Sequence, residues 1–167
     1  YKIVDALSDI WYYKLGIVTS PIPSNDHIDN FIGKTNELWT YYCSAQYKNN
    51  VSNRFFCNDS LRTRIIGYQM FKYDVKGFLH WGYNFYNARL SRKKINPYEN
   101  TTADGGFFAG DSFIVYPGKE GVEYSLRYFA MLKAFEDYRL LKTVENKKGK
   151  EFALQILFNI NTNLEKI

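Results

Sequence analysis

The residues 77–87, GFLHWGYNFYN, place His80, Trp81, Tyr83, Asn84, Phe85 and Tyr86 directly behind a short apolar run. Tyrosine and tryptophan faces stack on the apolar C–H faces of a pyranose, while asparagine, aspartate and histidine satisfy its hydroxyls. A sugar pocket needs that mixture. A second reading of Trp81, as a packing residue at the end of a strand, fits the same pattern. His80 and His27 read as hydrogen-bonded structural histidines. Acid–base cleavage of a glycosidic bond normally uses two carboxylates at one site. The only adjacent acidic pair here is Glu136–Asp137. It falls in the middle of a long helical pattern and reads as a structural contact to a neighbouring element. Asp104 and Asp111 occupy a Gly-rich loop, where they suit hydroxyl ligands or simple turns. Nucleophile motifs, phosphate-binding glycine loops and zinc spacings are absent from the sequence, so no catalytic residue, metal or cofactor is assigned.

The elements that must position these residues alternate. KIVDAL (2–7) and LGIVTSPI (15–22) read as strands, and SNDHIDNFIGKTN (24–36) as a capped helix. ELWTYYCSA (37–45) is an aromatic strand without clean alternation, as for a strand covered on both faces. NDSLRTRIIGYQMFKYDV (58–75) is an amphipathic helix capped by Asp59 or Ser60, and KGFLHW (76–81) a further buried strand. A long loop then spans 83–118, with a short strand at FIVYPG (113–118). Helices follow at 123–145 and 150–167. Strands alternating with helices indicate parallel βα units in one α/β domain over 1–167. In such folds ligands sit beyond the carboxyl ends of the strands. That singles out Asp5, Asp9, residues 41–46, residues 81–87 and the loop 104–116. A complete barrel of eight βα units needs roughly 250 residues, so the chain corresponds to about half of one.

The chain has 167 residues, 46% hydrophobic and 23% charged, with an aromatic share of 19% that suits half-wet binding surfaces. Net charge is +5, but the basic residues are scattered apart from SRKK (91–94) and NKKGK (146–150), both read as solvated loops. A nucleic-acid partner is therefore not expected. No apolar run approaches the ~18 residues of a membrane span. Cys43 and Cys57 are expected as buried free thiols, which favours a reducing, cytoplasmic compartment. The opening residues carry no signal peptide and give the impression of a piece cut from a longer chain.

ELWTYYCSAQ, SNRFF, SLRTRIIGYQMFKYDVKGFLHWGYNFYN, GDSFIVYPG and EYSLRYFAMLKAFEDYRLL, taken in order, resemble one family. It is the C-terminal barrel region of glycoside hydrolase family 123 and of the bacterial proteins grouped with it as domain of unknown function 4091. The resemblance runs from about Asp5 to about Glu145. It implies the C-terminal portion of a (β/α)8 TIM-type barrel with parallel strands, followed by C-terminal helices. It also implies retaining, substrate-assisted hydrolysis of β-linked N-acetylgalactosamine, in which an adjacent Asp-Glu pair serves the sugar's own acetamido group. No Asp-Glu dipeptide occurs in this sequence, so the chain alone is expected to be inactive, its N-terminal barrel half lying upstream. By position, Tyr41, Tyr42, Trp81, Tyr83 and Asn84 would line the sugar pocket, with Asp111 and Tyr116 on its rim. Exposed strand edges would promote self-association. The rival readings are a non-catalytic carbohydrate-binding protein and, third, a single-strand nucleic-acid binder.

Overall fold

The computed structural model of the chain describes residue 25 and residues 28–34, 37–47 and 51–164, with side chains to residue 159. The expected strands at 2–7 and 15–22, with Asp5, Asp9 and His27, lie outside the described residues. Within them the chain forms a 3-10 turn (Ile28–Phe31), β1 (Trp39–Tyr42), α1 (Ser60–Lys72), β2 (Gly77–His80), a 3-10 turn (Arg89–Ser91), β3 (Val115–Gly118), β4 (Gly121–Tyr124), α2 (Leu126–Lys148) and α3 (Lys150–Leu164). β1 and β2 pair in parallel, from Trp39 opposite Gly77 to Tyr42 opposite His80. Parallel neighbours need a crossover, and α1 supplies it. The result is a mixed α/β arrangement with a small parallel sheet.

Several local expectations are corrected. The helix expected at 24–36 is represented among described residues by one 3-10 turn, Ile28–Phe31. β1 is four residues long, and its burial alternates: Thr40 and Tyr42 are buried, Trp39 and Tyr41 half-buried. β2 is not a fully buried strand, since Leu79 is 37% exposed. The short strand at FIVYPG is present as β3, but it turns back antiparallel into β4. Glu123 and Tyr124 thus belong to a hairpin rather than to the helix. The long loop is also laced, with isolated bridges joining Asn84 to Phe113 and Asn87 to Lys94. Cys43 and Cys57 are free, as expected, but half-buried and exposed rather than buried.

Both main helices are capped at their N-termini, α1 by the Asp59 expected from sequence. The Asp59 carboxylate accepts from the Leu61 amide, and Ser125 accepts from the Tyr128 amide while donating to the Ile114 carbonyl at 2.6 Å. Each satisfies amides that the first turn leaves unpaired. Ile66 and Met70 of α1 pack with Met131 and Ala134 of α2 over Leu38, Tyr42, Val75, Ile114 and Val115. A second cluster of Phe71, Leu141, Ala153 and Leu157 brings in α3. Asp137 is the structural contact expected of it. It takes a two-pronged bond from Arg64 of α1, with Nε at 2.5 Å and the terminal nitrogen at 2.8 Å.

The two helices meet most closely at Gly67. A Cβ there would lie 1.9 Å from the Ala134 carbonyl oxygen and 2.7 Å from its carbon. Alanine gains about 0.5–1 kcal/mol over glycine inside a helix, but here it meets backbone, which cannot rotate away. Overpacking of this kind costs about 1–3 kcal/mol, so the clash wins. Gly67→Ala is expected to lower the urea midpoint, and a midpoint raised above the parent's would contradict the close approach.

Candidate functional site

β1 ends at Tyr42 and β2 at His80, side by side in register, and the segments that follow them close over a buried ion pair. Arg54 and Asp111 are both fully buried, with Nη2 of Arg54 3.3 Å from Oδ1 of Asp111. The same nitrogen donates to the carbonyls of Trp81 (2.8 Å) and Asp111 (2.5 Å). Oδ2 of Asp111 accepts from the Trp81 indole N–H at 3.2 Å and from the Ser44 hydroxyl at 2.5 Å. A buried charge is tolerated only when paired and hydrogen-bonded; the bonds at Arg54 Nη2 and Asp111 Oδ2 supply this in part, while Arg54 Nε and Asp111 Oδ1 are buried without a hydrogen-bond partner. Gly82 permits the closure. Its φ is +67°, and a Cβ there would sit 2.3 Å from the Asp111 carbonyl oxygen.

Two aromatic groups flank this pair. In one, the Trp81 ring lies 5.6 Å from Phe85 and 5.0 Å from Phe107. In the other, Tyr42 packs at 4.9 Å from Phe78 and 6.3 Å from His80, which meets Tyr83 edge-on at 6.1 Å. His80 is not the hydrogen-bonded histidine expected from sequence: neither ring nitrogen has a partner, and both are buried. Burial first, and then the Arg54 cation, hold its pKa down to about 3, so the ring is neutral at pH 7 and cannot act as a proton donor of imidazolium type. Burial likewise pushes the Tyr42 hydroxyl up to about 12. A second cation, Arg127, donates to the carbonyls of Arg54 and Gly110 and lies 4.5 Å from the centre of the Phe56 ring. Burial lowers its pKa to about 10.

The candidate residues therefore separate by depth. Trp81 is half-buried, Tyr83 is 40% exposed and Asn84 is exposed, and they occupy one stretch after β2. Backbone bonds from Ile114 to the Tyr83 carbonyl and from Phe85 to the Ser112 carbonyl fix that stretch. Tyr116 is half-buried, 4.9 Å from Tyr98 and 5.2 Å from Phe113. Tyr41 and Tyr42 point to opposite faces of the sheet, as successive strand residues must, so they do not share one surface. Tyr42 and Asp111 are fully buried; the structure places them beneath the surface, and Asp111 is not on a rim.

Sequence reasoning missed Arg54 and, within the marked segments 41–46 and 104–116, did not pick out Ser44 or Phe107. One signal for Arg54 was legible, a lone cation directly before two phenylalanines in SNRFF. The Asp111 carboxylate is paired with Arg54 and accepts from Ser44 and from the Trp81 indole, which it holds in place. Among the described residues no group of three His, Cys, Asp or Glu side chains is placed to hold a metal ion, and no helix is long and apolar enough to cross a membrane. The geometry offers a stacking face at the strand ends, braced from inside by charge. Compared with known proteins, residues 1–144 match the family model described as glycoside hydrolase 123, catalytic domain. No curated protein matches the chain.

Proposed function

The chain belongs to glycoside hydrolase family 123, and from that premise we propose that it supplies a sugar-binding face to a (β/α)8 barrel that cleaves β-linked N-acetylhexosamine, N-acetylgalactosamine in particular. The mechanism is retaining and substrate-assisted, with the acetamido oxygen attacking the anomeric carbon. The Asp-Glu pair that serves it comes from a strand upstream of Tyr1, so these 167 residues bind sugar without cleaving it. Trp81, Tyr83 and Asn84 touch the sugar directly, Tyr41 and Tyr116 border it, and Tyr42 and Asp111 act from beneath.

The observation that carries this reading is the tethered tryptophan. Its N–H is bonded to the Asp111 carboxylate and its carbonyl to Arg54, which together hold the half-buried ring in one orientation. Fixing the ring in advance reduces the ordering cost of binding. Trp81→Ala is expected to weaken N-acetylgalactosamine binding, measured by calorimetry or ligand-observed NMR, at least about tenfold, the range of a buried aromatic anchor. Unchanged affinity in a folded variant would remove Trp81 from the site. A protein extended upstream of Tyr1 should hydrolyse aryl β-N-acetylgalactosaminide and spare sugars lacking the acetamido group. Binding without hydrolysis in that extended protein would favour the non-catalytic carbohydrate-binding reading.

A further inference from the structure

The loop between β2 and β3 contains a cavity, separate from the Trp81 ring group. It has a volume of about 530 Å³ and is lined by Arg89, Arg92, Lys93 and Asp104, with Ala103–Gly106 forming one wall. Lys93 is already committed, its ammonium 2.8 Å from the Asp104 carboxylate. That carboxylate also accepts from Asn100. The guanidinium groups of Arg89 and Arg92 form no ion pair or side-chain hydrogen bond among the described residues. After the Lys93–Asp104 pair cancels, two arginine cations remain facing one concavity.

The backbone around this cavity is held in an uncommon shape. Leu90 (φ 65°), Ser91 (φ 55°), Ala103 (φ 51°) and Asp104 (φ 63°) adopt left-handed conformations, followed by Gly105 (φ 78°). Such conformations cost non-glycine residues about 1–3 kcal/mol each and concentrate where function requires them. The two strained segments are joined by the Arg89 amide donating to the Ala103 carbonyl at 3.1 Å. The Arg89 stem also lies across Gly106, where a Cβ would meet it at 2.4 Å. This packing anchors the base of the Arg89 side chain. Along the chain the wall is followed at once by the aromatic group: Gly106 lines the cavity, and the next residue, Phe107, contacts Trp81.

We propose that this cavity binds an oxyanion substituent, a sulfate ester or a carboxylate, carried by a glycan whose neighbouring ring stacks on Trp81. The proposal rests on the carbohydrate reading above and narrows it to acidic glycans. Arginine suits the role because its planar fork grips oxyanions with two parallel bonds. The scattered placement of the chain's other basic residues favours a sugar-borne anion over a nucleic-acid phosphate.

The test compares N-acetylgalactosamine with its 6-O-sulfate and with a disaccharide that joins it to a uronic acid. Titrations of the 167-residue chain by calorimetry use inorganic sulfate as a fourth ligand. At low ionic strength at least one charged sugar is expected to bind about tenfold or more tightly than the neutral one, and added salt should erode the advantage. Which charged sugar gains distinguishes sulfate from carboxylate. The double variant R89Q/R92Q keeps both stems, so it should remain folded by circular dichroism, lose the advantage and retain neutral-sugar affinity. Equal affinity for charged and neutral sugars in the parent, or an advantage that survives R89Q/R92Q, overturns the proposal. Salt-sensitive binding of single-stranded DNA that outcompetes every sugar would also overturn it. If sulfate binds in an Arg89- and Arg92-dependent way while no sugar responds to Trp81→Ala, the anion site stands and the stacking reading falls.

Discussion

Arg54→Met is expected to destabilise the protein by about 3–5 kcal/mol, the cost of leaving a buried partner charge uncompensated. The side chain is fully buried, 3.3 Å from the carboxylate of Asp111, and it also bonds the Trp81 and Asp111 carbonyls. Its loss strands an anion and exposes two carbonyls to an apolar neighbour. The double variant R54M/D111L removes both charges and should recover part of the loss, since a well-packed apolar pair often matches a buried ion pair. Recovery stays incomplete because the indole N–H and the Ser44 hydroxyl then lose their acceptor. Chemical denaturation of the two variants gives the answer. Arg54→Met as stable as the parent would mean that the charge pair does not brace the site.

The second large effect depends on pH. His80 is neutral in the folded chain, held near a pKa of about 3 chiefly by burial and next by Arg54, whereas an unfolded histidine titrates near 6.5. Below pH 6.5 the unfolded chain therefore binds a proton that the folded chain refuses. Stability from this group is fully present above about 6.5 and declines as pH falls towards 3, by about 1.4 kcal/mol per unit. Asp137, held low by Arg64, and Asp74, held low by Lys76, act in the same direction, so the parent curve alone does not isolate His80. His80→Phe isolates it: the ring fits beside Phe78, Tyr42 and Tyr83 and removes two nitrogens that have no partners. At pH 7 the variant should match or exceed the parent. By pH 4 its relative gain should reach about 3 kcal/mol. A difference that stays constant between pH 7 and 4 would show that His80 protonates as freely when folded as when unfolded.

Both charge effects were hidden in the sequence, and for the same reason. Asp59 announces its helix because a cap acts within three residues. Arg54 and Asp111 are 57 residues apart, and no local pattern connects them. The β3–β4 hairpin escaped because Glu123 and Tyr124 continue the look of the following helix, and only the capping role of Ser125 marks the boundary. The stretch 81–84 stood out by residue type alone, as a mixture of aromatic and polar side chains. Its division into exposed and supporting residues did not, because depth depends on which segments close over it.

The buried pair also has an evolutionary consequence. Arg54 ties Trp81, at the start of the long loop, to Asp111, near its end. A loop fastened at both ends by its own scaffold leaves its interior free to drift. Exposed side chains between about residues 88 and 106 can then change while the helices and the parallel strands keep their packing. Under selection, such a lineage can diversify in its loop surface faster than in its architecture. Arg54 and Asp111 are then the positions where descendants have least room to change.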